Sequence, residues 1–243
     1  MAQNIYDNPA FFAGYAQLNR STQGLDGAPE WPSMTKMLPD LHDLNVIDLG
    51  CGYGWFCRYA REQGAQEVRG IDVSAKMLAK ANEMTDDSKI SYCREDLEQL
   101  KLPENNYDLV YSSLALHYIV NLSALFNSIF HSLKPGGKFV FSAEHPIFSA
   151  PMQQGWLTDD KGQRSWPVNH YQAEGNRVTN WLANGVIKQH RTLATYINLL
   201  IDAGFTLHRL EEWGPTAQQI AEQPALDEEK ERPMLFLVSA TKS

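Results

Sequence analysis

The stretch Val46-Ile47-Asp48-Leu49-Gly50-Cys51-Gly52-Tyr53-Gly54 decides how the chain is read. Val46 to Leu49 is a short apolar run suited to a buried parallel strand. Gly50, Gly52 and Gly54 follow at alternate positions. Glycines there allow positive φ and let a ligand approach the backbone. Trp55, Phe56, Tyr59 and Ala60 then recur at roughly helical spacing. Strand, glycine turn and helix start are the place where open α/β sheets bind nucleotide-like ligands. The same glycines also suit a plain tight turn.

A second segment narrows the choice. Glu67 to Asp72 reads as another strand, ending in an acid 22 residues beyond Gly50. A carboxylate there can accept from both hydroxyls of a ribose. Asp72 also suits a helix start with Ser74, and the two roles are compatible.

These segments, with Gly70-Ile71-Asp72-Val73-Ser74, Glu95-Asp96-Leu97 and Leu133-Lys134-Pro135-Gly136-Gly137, resemble the class I S-adenosylmethionine-dependent methyltransferases. The likeness is greatest to their bacterial small-molecule branch, the ubiquinone/menaquinone type. It covers nearly the whole chain and does not identify a substrate. It implies a Rossmann-like, doubly wound α/β sheet of seven strands with the last antiparallel. It also implies a single domain over 1–243, with an N-terminal helical lid at 1–36. The implied cofactor is S-adenosylmethionine, held by Asp48, Gly50, Cys51, Gly52, Asp72, Val73, Met77, Asp96, Leu97 and Ser112. Asp96 would read the adenine amino group while Leu97 packs on the ring. Asp96 alone would read as an acidic loop, and Cys51 alone as a small packing residue. In the lid, Tyr6 or Tyr15 would lie near the methionine end.

The remaining segments place the acceptor chemistry. Asp7 or Asn8 can cap a helix over 7–20 that opens with Pro9. Gly24 to Pro32 reads as a loop, with Trp31 walling the substrate pocket. Strands are expected at 90–94, 107–113, 138–143, 205–213 and 233–240, and helices at 74–84, 122–133 and 192–203. His117 follows the fourth strand at its carboxyl end, where ligands lie; it reads as an acid, base or orienting group, or as a buried structural histidine. Glu144-His145 closes the fifth strand. Neighbouring strand residues face opposite sides, so one of the pair points to the pocket, and His145 is favoured as catalytic. The competing reading is a strand end fixed by Pro146. Residues 147–191 hold Trp156, Trp166, Tyr171 and Trp181 with His170 and His190 among polar residues, and are too long for a plain connection. They read as a cap of short strands over the substrate, with Tyr171 and His190 as contacts beside Glu144. Val186 to Arg191 alternates as a strand does. These aromatics suggest a flat or partly apolar acceptor.

A net charge of −8 over 243 residues gives no basic footprint for nucleic acid. Residues 109–130 hold no Asp, Glu, Lys or Arg and only His117 can carry charge near neutral pH, yet Ser112, Ser113, Asn121, Ser123, Asn127 and Ser128 interrupt them. They read as strand, loop and helix rather than a membrane span. Met1-Ala2-Gln3-Asn4 has no signal-peptide character. Cys51, Cys57 and Cys93 lack zinc-ligand spacing and suit a reducing cytoplasm, and no metal cluster is evident. Three rivals share parts of the pattern. A nicotinamide-dependent oxidoreductase would want a small residue where Trp55 stands. A non-catalytic sensor would bind the same cofactor. An RNA or protein methyltransferase fits the acidic chain poorly, and the Asn-Pro-Pro-Tyr-like signature of amide or base amino methylation is absent, Ser112-Ser113-Leu114-Ala115 standing in its place.

Overall fold

A computed structural model describes residues 3–243. The first two residues of the expected lid, and of the segment read as lacking a signal peptide, lie outside them. Seven strands form the main sheet: β1 (Asn45–Leu49), β2 (Glu67–Asp72), β3 (Ile90–Arg94), β4 (Tyr107–Ser113), β5 (Leu133–Glu144), β10 (Phe205–Glu212) and β11 (Leu235–Lys242). Their order across the sheet is β10-β11-β5-β4-β1-β2-β3. Strands β1 to β5 are parallel, while β11 runs antiparallel between β5 and β10. The direction of winding reverses between β1 and β4, and ligands bind outside the carboxyl ends at such a switch point.

Alternation along the strands feeds two cores. Ile47, Leu49, Val110, Phe139 and Phe141 face one side. There they meet Leu122, Leu125, Phe126 and Ile129 of α6 (Leu122–Ser132) and Tyr196 and Leu200 of α8 (Leu193–Asp202). Val46, Leu109, Tyr111 and Val140 face the other side. They pack on Met34 of α3 (Trp31–Thr35), on Phe56, Cys57 and Ala60 of α4 (Trp55–Glu62), and on Leu78 of α5 (Ala75–Glu83). Residues 109–130 are β4, a 3-10 turn at Leu116–Tyr118 and α6. No helix among the described residues is long and apolar enough to cross a membrane.

Three expectations need correction. The segment over 7–20 is not one helix but a 3-10 turn (Ile5–Asp7), α1 (Pro9–Tyr15) and α2 (Asn19–Thr22). Asn8 caps α1, whereas Asp7 reaches α5, accepting from Ser74 Oγ (2.6 Å) and the Lys76 amide (3.1 Å). Gly24 to Pro32 is not a plain loop: it holds a 3-10 turn and the start of α3. The fifth strand starts at Leu133 rather than 138, because Leu133 already pairs with Tyr107; the Pro-Gly-Gly segment, with Gly136 at φ +79°, bulges out before pairing resumes between Leu109 and Lys138. The polar stretch after β10, Gly214 to Arg232, reads as a surface loop or short helix, and it contains α9 (Ala217–Glu222), opened by a Thr216–Gln219 capping box.

Between β5 and α8 lies an insertion. It holds α7 (Pro146–Ser149), a hairpin of β6 (Leu157–Thr158) with β7 (Arg164–Ser165), and a hairpin of β8 (Gly175–Thr179) with β9 (Val186–His190). Arg232 fastens it to the segment before β11: its guanidinium lies over Trp166 (4.7 Å) and Phe148 (4.9 Å) and pairs with Glu229 (2.8 Å).

Phe141 is fully buried and its ring meets Phe139, Phe126 and Phe236 at 4.9 to 6.0 Å. Phe141→Ala is predicted to cost about 3–5 kcal/mol, read as a lower urea midpoint with an unchanged slope.

Candidate active site

The glycine turn is pinned to β2 by one carbonyl. The amides of Gly50 and Cys51 both donate to Ile71 O, at 2.8 and 2.9 Å. Gly50 has φ +79°, and a Cβ on it would meet Ala115 Cβ at 2.4 Å. Only glycine fits there. At Gly52 the nearest atom to such a Cβ is Tyr15 Oη, at 4.0 Å, so the backbone lies open to a cavity of about 570 Å³.

That cavity runs along the carboxyl ends of the strands. One end is lined by Gly50, Gly52, Asp72, Val73, Asp96 and Leu97. Asp72 accepts from the amides of Gly52 and Ser74, both at 2.9 Å, while Ser74 Oγ caps α5. Burial pushes the Asp72 carboxyl up, and the amide donors pull against it. Asp96 Oδ1 accepts from Glu98 N, but its Oδ2 is buried with no partner. An open glycine backbone, a fixed carboxylate beside it and an orphaned acceptor beyond fit a nucleoside with ribose hydroxyls and a ring amino group.

The other end is lined by Tyr6, His117, Tyr118, Glu144, Trp181 and Lys188, with Phe148, Trp213, Met234 and Leu235 as apolar wall. Lys188 Nζ pairs with Glu144 Oε1 and lies 4.9 Å from the Trp181 ring centre. Burial would raise the Glu144 carboxyl, but the Lys188 ammonium paired with it holds it below its usual range. Desolvation takes the His117 imidazole down to about 4. The Glu144 amide points at His117 Nδ1 (3.5 Å), so the neutral ring carries its proton on Nε2.

Other expected site residues lie elsewhere. His145, not Glu144, was favoured to face the pocket, but its ring is buried outside the cavity lining. Its Nδ1 accepts from the Ile147 amide (3.0 Å) and its Nε2 meets Glu212 (2.9 Å). Because neighbours on a strand face opposite sides, Glu144 takes the cavity position. His190 is fully buried between Ser149 Oγ (2.8 Å) and Tyr171 O (2.9 Å); neither His190 nor Tyr171 lines the cavity. Ser112 Oγ ties β4 to Leu49 O (2.8 Å), leaving Ser113, Leu114 and Ala115 to line the cavity. Met77 is core, 1% exposed. Asp48, Cys51 and Trp31 border a separate space of about 80 Å³ behind the turn, with Arg20 and Glu30. Burial there pushes the Asp48 carboxyl up to about 8, so it holds its proton at neutral pH. Lys188, Tyr118, Trp181 and Trp213 were not among the expected site residues. Lys188 had a signal, since it falls in phase with Val186 and His190 in the alternating strand.

Residues 47–141 match the family described as methyltransferase domain. An uncharacterized protein of Haemophilus influenzae is 35% identical, over 98% of this chain and 97% of that one. An S-adenosylmethionine-dependent methyltransferase of Mesorhizobium loti has a solved structure that superposes with a TM-score of 0.86. It is 52% identical, over 90% of this chain and all of that one. The chain belongs to the S-adenosylmethionine-dependent methyltransferases. A malonyl-[acyl-carrier protein] O-methyltransferase of Pectobacterium atrosepticum is 33% identical over 53% of this chain, which spans about half of that protein's length. Methyl transfer from S-adenosylmethionine is therefore this methyltransferase's activity, and the Gly52–Asp72–Asp96 end of the cavity fits that cofactor.

Two predictions follow from this geometry. Asp72→Asn keeps the size but loses the charge, and is predicted to weaken cofactor binding roughly tenfold or more by calorimetry. For His117, the folded pKa of about 4 lies below the ordinary histidine value, so the unfolded chain binds more protons between the two. The stability is present above pH 6.5 and is lost as pH falls toward 4, by about 3 kcal/mol. Urea midpoints of wild type are predicted to fall more steeply over this range than those of His117→Asn.

Proposed function

We propose that this methyltransferase acts on a small, partly apolar acceptor bound at the end of the cavity lined by Glu144, His117, Tyr118 and Trp181. The observation that carries the reading is one continuous cavity joining the nucleoside-shaped end to a polar corner walled by aromatic rings. S-adenosylmethionine supplies a methyl group on a sulfonium: the acceptor's lone pair takes the methyl, the carbon–sulfur electron pair stays on sulfur, and S-adenosylhomocysteine is left.

The chain's own residues position and enclose. Asp72 accepts from the ribose hydroxyls, Asp96 Oδ2 accepts from the adenine amino group, and Val73 and Leu97 pack on the base. Residues 3–36 act as a lid and 147–191 as a cap on one domain. Tyr6 and Tyr15 from the first, with Trp181 and Lys188 from the second, close the cavity and exclude water. Together these walls hold the acceptor atom in line with the bond to be broken. His117, with Nδ1 engaged and a depressed pKa, orients the acceptor through Nε2–H rather than removing a proton. His145, bonded to Glu212 outside the cavity, has no part in this reading. The acidic chain supports a small acceptor over nucleic acid. Three free cysteines support a cytoplasmic setting.

The test supplies methyl-labelled S-adenosylmethionine and a bacterial extract separated by size. Label is expected in the small-molecule fraction; label in RNA or protein, or in no fraction, overturns the reading. Trp181→Ala is predicted to raise the acceptor KM several-fold while leaving cofactor affinity within about twofold.

A further inference from the structure

The acceptor corner contains a buried carboxylate with one oxygen unused. Glu144 is 9% exposed and lines the cavity. Its Oε1 is taken by Lys188, and its Oε2 is buried with no hydrogen-bond partner. A buried oxygen left bare is costly, and a donor on a bound molecule removes that cost. Lys188 is itself 4% exposed and held against Trp181, so it is fixed on Oε1 rather than shared between the two oxygens.

The charges around this corner restrict what can bind. Glu144 is the negative group, and Lys188 and Arg191 are the positive ones that act on His117. Arg191 is held on the carbonyls of Ile119 and Val120. A carboxylate on the ligand would lie against Glu144. An ammonium would add a further buried cation beside Lys188 and Arg191. An uncharged hydroxyl or N–H meets neither cost, and the His117 Nε2–H offers it a complementary donor.

We propose that the acceptor presents an uncharged O–H or N–H to Glu144 Oε2, and that Lys188 is the positioning residue that turns this oxygen toward it. The proposal rests on the small-molecule reading above and narrows it to neutral hydroxyl or non-basic N–H compounds, excluding carboxylates and alkylammonium ions.

Three matched probes test it: benzyl alcohol, benzoate and benzylamine at pH 7.5, each titrated by ligand-observed NMR into the protein saturated with S-adenosylhomocysteine. Wild type is expected to bind benzyl alcohol about tenfold more tightly than either ion. Glu144→Gln is expected to weaken the alcohol and improve benzoate. Lys188→Met is expected to improve benzylammonium, an exchange of preference that loss of packing would not produce. Benzoate or benzylammonium binding wild type as well as the alcohol overturns the proposal, as does an unchanged order in both variants or the binding of no probe. Label found in RNA or protein in the transfer experiment instead removes the small-molecule reading itself, whatever the probes do.

Discussion

The Ile71 carbonyl accepts two amides, those of Gly50 and Cys51, and the cofactor end of the cavity depends on that fork. It holds the turn after β1 against the end of β2. Gly52 is thereby brought to Asp72, one residue beyond the fork, and the carboxylate is fixed without a side-chain partner. The same turn brings Gly50 against Ala115, so the segment leaving β4 is packed on its other side. Three strand ends are thus registered, β1 to β2 by hydrogen bonds and β1 to β4 by a contact too short to allow a Cβ on Gly50. The opening that remains has a defined shape before any ligand enters.

The N-terminal segment is attached to this frame from outside. Asp7 supplies a carboxylate to the start of α5, beside Asp72, and favours the positive end of that helix. Arg20 pairs with the almost fully buried Glu30 at 2.9 Å, joining α2 to the start of α3. The segment's tyrosines then reach the cavity from a support fixed at two points. The insertion after β5 is anchored in a different manner, through Arg232 among aromatic rings and His190 between Ser149 and Tyr171. Several residues that look catalytic by type serve as these anchors.

The cofactor half was legible in the sequence because its demands are local. Glycines at 50, 52 and 54, an acid closing the second strand and an acid after the third are each set by neighbouring backbone. The boundaries of β3 and β4 were also given by the residues themselves. The acceptor half was not legible to that depth. Glu144 and His145 are equal candidates by composition, and only the phase of β5 separates them. His190 and Lys188 share one face of β9, yet one is spent on Ser149 while the other reaches Glu144. That division depends on where the hairpin lands, which no local pattern encodes. Trp213 and Met234 join the cavity through β10 and β11, far along the chain from the motifs they face.

The position of β11 bears on how the sheet is assembled. It is later in sequence than both its neighbours, yet it fills the slot between them. Until it arrives, β5 and β10 each present an open row of amides and carbonyls, a template for pairing with another chain. Its pairing joins residues about a hundred positions apart, from Glu144 to Leu235 at one end and Lys138 to Thr241 at the other. Such long-range closure is slow compared with helix or hairpin formation. The chain on the ribosome therefore carries an unpaired β5 edge from the completion of that strand until β11 emerges. Its exposure to aggregation is concentrated in that interval.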